Sequence, residues 1–200
     1  MEANGKYQTN RKRMTMLVGP WGGSGGDSWD DGGTYDGIRS IYVAHGLCID
    51  SICAVYDYNG KPVTANKHGG TGGKIDEIKL DYPDEFLVGV SGYYGNFWFM
   101  YVIRSITFES NRRTYGPFGD EVGTPFTFTV ESGSVVGFKG RSGWYIDSIG
   151  FYISNTPPPS LSPPLPPPSS PPPPPPAPTT TPRHRRTFQQ KLRRLVSCHN

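Results

Sequence analysis

At 200 residues, with 26 glycines, 21 prolines and three cysteines, the chain has room for one ordinary domain and a remainder. The net charge of +3 hides an asymmetry: residues 1–13 carry +3, residues 14–155 carry −6 and residues 156–200 carry +6, so the acidic central part is no nucleic-acid binder. Cys48, Cys53 and Cys198 are too few for a disulfide scaffold, no stretch is long and apolar enough to span a bilayer, and the polar, basic start is unlike a signal peptide, so cytoplasm or nucleus is expected.

All 26 glycines precede Asn155, and 16 of the 21 prolines lie between Pro157 and Pro182. Residues 14–155 therefore form the folded part, rich in Gly, Tyr, Phe, Val and Ile without a helical period, which indicates an all-β domain. Residues 1–13 read as a disordered basic start. Met14–Trp21 reads as a first strand broken by Gly19-Pro20, followed by the loop Gly22-Gly23-Ser24-Gly25-Gly26. Trp29-Asp30-Asp31-Gly32 offers paired carboxylates, but neighbours on an extended chain face opposite ways, so turn chemistry is expected there. Ile38–Val43 leads into Gly46-Leu47-Cys48-Ile49-Asp50, and the strand Ser51–Tyr58 stops at the hairpin signal Asn59-Gly60.

A second glycine loop, Gly69-Gly70-Thr71-Gly72-Gly73, lacks both the Walker A ending and a strand–helix frame, which excludes phosphate and dinucleotide binding. Lys74–Asp81 and Phe86–Val90 read as strands. Gly92-Tyr93-Tyr94-Gly95-Asn96 stands where a third glycine turn is expected, with asparagine replacing aspartate. Phe97–Glu109, Thr124–Val130, Val135–Lys139 and Ser148–Ser154 complete the strands, and the Met14 strand is expected to close the last repeat's sheet.

Two motifs occur twice. Ile49-Asp50-Ser51-Ile52 and Ile146-Asp147-Ser148-Ile149 are identical, each with a glycine four positions before the aspartate (Gly46 and Gly143), and the form G-G-x-G-G recurs as well. Duplicated loop motifs in a small domain point to internal symmetry. A glycine permits close backbone approach, and an aspartate beside free amides supplies an acceptor-only carboxylate, a set suited to vicinal sugar hydroxyls. For one copy alone, an Asx-capped turn without a ligand is the favoured reading, and the two copies with two glycine loops reverse it. A glycosidase needs two carboxylates across one cleft, and each turn has one. No His, Cys and carboxylate spacing suggests a metal, and no cofactor is expected.

With Val18-Gly19-Pro20-Trp21-Gly22-Gly23, Thr114-Tyr115-Gly116-Pro117-Phe118-Gly119 and Val136-Gly137-Phe138-Lys139-Gly140 added, the chain resembles a jacalin-related lectin of the single-chain mannose-binding type. The resemblance implies a β-prism I of three four-stranded Greek-key sheets with pseudo-threefold symmetry, no enzymatic activity, mannose- or glucose-containing glycans as partners and a role in plant defence. It implies a main sugar site at Gly26, Gly143, Trp144, Tyr145 and Asp147, and a second at Gly46, Leu47, Cys48, Asp50 and Gly70. In the galactose-binding branch, cleavage turns the residue matching Gly26 into a chain terminus. Here Gly26 lies inside an unbroken loop, which favours mannose.

Residues 156–182 read as a proline-rich linker in polyproline II form, and 157–182 can serve as ligand for a polyproline-recognising protein. Residues 183–200 place Phe188, Leu192, Leu195 and Val196 on one face of a basic amphipathic helix candidate, marginal on its own. The alternative to a lectin is an interaction scaffold that acts through this tail and carries vestigial sugar sites. A homo-oligomer is compatible with either reading.

Overall fold

The structure, a computed structural model, describes residues 14–159. The expectations for the basic start, most of the proline-rich segment and the basic helix fall outside those residues.

Thirteen strands follow one another: β1 (Thr15–Gly22), β2 (Asp27–Asp30), β3 (Gly37–His45), β4 (Ile49–Tyr58), β5 (Lys61–Thr64), β6 (His68–Gly69), β7 (Lys74–Lys79), β8 (Leu87–Phe97), β9 (Met100–Ser110), β10 (Thr114–Gly119), β11 (Thr124–Thr129), β12 (Ser134–Ser142) and β13 (Ile146–Ser154). They form three antiparallel sheets in the orders β1-β13-β12-β2, β5-β4-β3-β7 and β10-β9-β8-β11, with the two-residue β6 beside β4. In the second and third sheets three hairpin-connected strands are followed by one that returns beside the first, the Greek-key order. In the first sheet the chain's start supplies the outer strands, and β1 runs along β13 from Thr15–Ser154 to Gly22–Ser148.

The three sheets share one register. Gly22, Gly69 and Gly119 lie opposite Ser148, Ser51 and Ser105, and Asp27, Lys74 and Thr124 lie opposite Ser142, His45 and Tyr94. The pairing of β1 slips between Val18 and Trp21 and that of β10 between Tyr115 and Phe118, while the corresponding strand of the second sheet is split into β5 and β6. Superposing the registers brings Ile146, Ile49 and Ile103 to one level, and Ile149, Ile52 and Ile106 to the next. All six are fully buried in the common core with Phe138, Phe151, Phe108 and Tyr56. Truncating any one of these isoleucines to alanine removes about 2–5 kcal/mol of packing.

Two sequence expectations need correction. Trp29 and Asp30 belong to β2, which pairs with Gly140 and Lys139, so they are not a turn. Only the exit is turn-like, where the Gly32 amide donates to Asp30 Oδ1 at 2.9 Å. The two carboxylates do separate. Asp30 takes the Tyr152 hydroxyl and the Lys139 ammonium, while Asp31 takes the Tyr56 hydroxyl and His68 Nε2. The second correction concerns the third repeat. Gly92–Asn96 is not a turn but the body of β8, which continues to Phe97 and reverses at Trp98-Phe99. The register makes Gly95, not Gly92, the counterpart of Gly46 and Gly143. Gly95 precedes Arg104 by nine positions, whereas Gly46 and Gly143 precede their aspartates by four. Five extra residues thus lengthen this hairpin beyond its two relatives.

Candidate functional site

At the end of the domain formed by the β12–β13 turn, the Gly143 amide closes a tight turn onto the Tyr145 carbonyl at 3.0 Å. Asp147 follows as the second residue of β13 and is only 7 % exposed. The first glycine loop passes directly over it. A Cβ added at Gly25 would stand 2.4 Å from Asp147 Oδ1, and one at Gly26 would stand 2.6 Å from Oδ2 and 2.3 Å from the Ser142 carbonyl carbon. No side chain fits there, and Gly26 also has a φ of +59°, a region that costs other L-residues about 1–2 kcal/mol. Trp144 stands out into solvent, and Tyr145 meets the Phe97 ring edge-on at 5.4 Å. The result is a depression of about 480 Å3, floored by Asp147 and Gly26 and walled by Gly143, Trp144, Phe99 and Tyr101.

Burial pushes the Asp147 carboxyl above the usual aspartate range, and the Gly143 backbone and the Arg141 charge only partly offset this. Its two oxygens lie directly against the glycine loop, where burial disfavours the charge. Arg141 acts differently: its Nε and Nη2 donate to the Gly25 and Gly26 carbonyls at 2.8 and 2.6 Å, holding the glycine loop from beneath.

The β3–β4 turn repeats this construction. The Gly46 amide closes onto the Cys48 carbonyl at 3.1 Å, and Asp50 is 8 % exposed with its carboxyl raised by burial and lowered in part by His45. Cβ atoms at Gly72 and Gly73 would stand 2.5 and 2.6 Å from its two oxygens. Leu47 is exposed, whereas Cys48 turns its thiol into the core, where burial and the Asp50 charge push it up to about 12. Gly70, assigned to this site from sequence, sits elsewhere. Its amide donates to the Asp50 main-chain carbonyl at 2.9 Å, and a Cβ there would strike the Trp144 carbonyl at 2.3 Å. The loop residue that matches Gly26 is Gly73, five letters into the G-G-x-G-G motif as Gly26 is in its own copy.

The third position has lost the carboxylate. Ile103-Arg104-Ser105-Ile106 takes the place of the two Ile-Asp-Ser-Ile copies, and the Arg104 carbonyl accepts from the Asp120 amide as Asp147 and Asp50 accept from Gly23 and Gly70. Its elongated hairpin instead serves the first site, since Phe99 and Tyr101 wall that depression and Gly23 packs on the Tyr101 carbonyl. Among the described residues no group of three or more His, Cys, Asp or Glu is placed to hold a metal ion.

Two carboxylates under glycine loops, on a threefold frame of three antiparallel sheets, agree with what comparison with known proteins finds. Residues 18–152 match the Jacalin-like lectin domain. The chain belongs to the jacalin-like lectin family. It is 58 % identical over 156 residues to "Jacalin-related lectin 19" of Arabidopsis thaliana, covering 74 % of this chain and 86 % of that one. It is 41 % identical over 153 residues to the "Galactose-specific lectin" of Morus indica, covering 74 % and 97 %. Among solved structures it superposes with a TM-score of 0.68 on a mannose-specific jacalin-related lectin from Morus nigra in complex with mannose, at 50 % identity over 74 % of this chain and 99 % of the other. The protein is thus a jacalin-like, carbohydrate-binding lectin with the β-prism architecture.

Proposed function

We propose that this jacalin-like lectin binds mannose-type glycans without metal, through Asp147 as the main site and Asp50 as a second. The observation that supports this most directly is the duplicated pairing of a nearly buried carboxylate with two glycines too close to it for any side chain. Hydroxyls on adjacent sugar carbons donate to the carboxylate and accept from the turn amides of Trp144 and Tyr145, or of Leu47 and Cys48. Gly26, inside an unbroken peptide, offers an amide rather than a charged amino group, which favours the equatorial hydroxyl of mannose or glucose over the axial one of galactose. Specificity is therefore read as that of the mannose-specific mulberry relative and not of the galactose-specific one. The second site uses Gly73 where the main site uses Gly26.

Each site is shallow and solvated, so free mannose is expected to bind at about millimolar, near −4 kcal/mol. A branched oligomannose that reaches both sites gains avidity on the order of a hundredfold without new contacts. Titration calorimetry with mannose and with branched oligomannose tests the assignment in Asp147→Ala, Asp50→Ala and the double variant. A charged acceptor to hydroxyl donors contributes roughly 1.5–3 kcal/mol, so each single variant loses one site and the double variant loses both. Undiminished binding by the double variant, or a preference for galactose, removes the reading.

A further inference from the structure

Arg104 occupies the third carboxylate position, yet it is not idle. Its side chain is only 11 % exposed. Nη1 donates to the Asn96 carbonyl at 2.9 Å, and the guanidinium lies 5.2 Å over the Phe97 ring, so one end is seated in the third repeat's own hairpin. Nη2 faces Asp120 at 3.6 Å. Nε reaches out of the repeat and donates to the Leu47 carbonyl at 3.1 Å. Leu47 belongs to the Gly46–Asp50 turn, the second sugar site.

We infer that Arg104 is a positioning residue for the second sugar site, holding the Leu47–Cys48 peptide in its sugar-receiving orientation; this rests on the reading that the Asp50 turn binds sugar. A trans peptide is planar, and within that plane its carbonyl and its N–H point in opposite directions across the C–N bond. Fixing the Leu47 carbonyl on Arg104 therefore aims the Cys48 N–H away from Arg104, and rotating that plane would remove a donor from the site. The buried Cys48 side chain anchors one end of this peptide, but at the other end the Leu47 side chain is exposed and does not fix its carbonyl. A planar guanidinium suits this role, since it is always charged and its donors leave in fixed directions, so one end can be anchored at Asn96 while another holds Leu47.

The first site is held by a different residue in a similar way. There Arg141 forks onto the carbonyls of Gly25 and Gly26, steadying the glycine loop rather than the aspartate turn. Its register counterpart in the second repeat is Ala44, which can hold nothing. The second glycine loop is steadied instead by Lys67 Nζ on the Gly70 carbonyl at 2.6 Å, and its aspartate turn is held from the third repeat by Arg104. The same arginine fills the third position with a cation whose donors are engaged by the protein, so no neutral sugar is accepted there. The two effects have one cause, and they make the loss of a third site the condition for an ordered second.

The test uses the full chain and methyl α-mannoside, with binding followed by nuclear magnetic resonance so that amides near Asp147 and near Asp50 report separately. In Arg104→Gln the Asp50 site is expected to weaken about tenfold or more, as for the loss of a charged hydrogen bond, while the Asp147 site keeps its affinity. Arg104→Lys keeps the charge but not the fork, and is expected to recover only part of the loss. Equal weakening at both sites would mean a general loss of structure and overturn the proposal, as would unchanged binding at both or full recovery by lysine. A measurement on the unsubstituted protein stands even if both variants misfold. The Arg104 Nε–H signal is expected to be protected from solvent exchange and to shift with the midpoint of the Asp50 site. Exchange as fast as that of a free side chain overturns the proposal. If the unsubstituted protein shows two aspartate turns of which only the Asp147 turn responds to the sugar, the two-site reading fails first and takes this inference with it.

Discussion

Substituting Gly26 by alanine separates two demands that the glycine loop makes on the backbone. Gly32 and Gly26 both have positive φ, +85° and +59°, but a Cβ at Gly32 meets nothing within 4 Å, whereas one at Gly26 meets Ser142 and Asp147 at 2.3–2.6 Å. Gly32→Ala therefore carries only the conformational cost, about 1–2 kcal/mol. Gly26→Ala adds overpacking against main chain that cannot swing aside, typically about another 1–3 kcal/mol. For a domain of this size a kilocalorie lowers the Tm by roughly 3–4 °C, so Gly26→Ala is expected to melt well below Gly32→Ala in calorimetry. On the proposed reading, the new methyl also stands where a sugar approaches Asp147. Mannose binding at that site should fall at least tenfold, about 1.4 kcal/mol, while the Asp50 site is untouched. If Gly26→Ala melts no lower than Gly32→Ala and still binds at the Asp147 site, the close approach is not a feature of the folded protein.

Acid should weaken sugar binding sooner than for an ordinary aspartate. Burial raises the Asp147 and Asp50 carboxyls, so the accepting, ionised form is complete above those raised values and is lost as pH falls through them; calorimetric titration across the acid range checks this. The stability sign is the reverse of binding, because a raised carboxyl destabilises the fold while ionised, and Asp147→Asn should melt at or above the parent at neutral pH. Glu85 behaves oppositely. Burial raises its carboxyl, but hydrogen bonds from Ser110, Tyr115, the Asp81 amide and Arg113 outweigh that and bring it to about 2, from 4.5. Its contribution is thus full above 4.5 and disappears as pH falls toward 2. Discounted for the half-exposed Arg113, Glu85→Gln should cost about 2 kcal/mol in urea titrations at neutral pH and flatten the acid limb of the stability curve. Arg141→Ala should weaken the first site roughly tenfold by releasing the Gly25 and Gly26 carbonyls, with the Asp50 site as internal control.

Much of this is legible in the residues because the repeats are literal. The Ile-Asp-Ser-Ile copies place two isoleucines in successive core layers and an aspartate at the rim, so one tetrapeptide encodes both frame and site. Asn59-Gly60 turns with positive φ at both residues, as that pair demands. The third repeat misleads because its marker is not glycine spacing. A hairpin can be lengthened without disturbing the sheet beneath it, so Gly95 and Arg104 drifted apart while the core register persisted. The legible signal is Ile103-Arg104-Ser105-Ile106, which keeps the core pattern and changes only the rim residue. Gly70 is mistaken for Gly73 for a related reason: both are glycines in one loop, and only the aligned copy of the motif separates the residue under the neighbouring turn from the residue over the carboxylate. Trp29-Asp30 reads as a turn because β2 is four residues long and its pairing partner lies more than a hundred positions away.

The rim position also explains why a symmetric frame yields unequal sites. The core layers and the glycine approaches carry the fold, and all three repeats must satisfy them, so they vary little. The residue that follows the first isoleucine lies at the rim and is released from that demand. Where it is aspartate, burial disfavours the ionised carboxylate, and the fold bears a cost that a hydroxyl-bearing ligand is expected to relieve. Where it is arginine, the chain supplies acceptors from its own carbonyls, and nothing is left over for a ligand. On the proposed reading, sugar at Asp147 or Asp50 binds only the folded chain. It follows that ligand and stability are linked at Asp147 and Asp50: saturating sugar should raise the Tm of the parent, by RT ln(1 + [L]/Kd) per site, about 2.7 kcal/mol at a hundredfold excess over Kd. Arg104 enters that linkage only through the Asp50 site, so Arg104→Gln should reduce the sugar-induced rise in Tm without abolishing it.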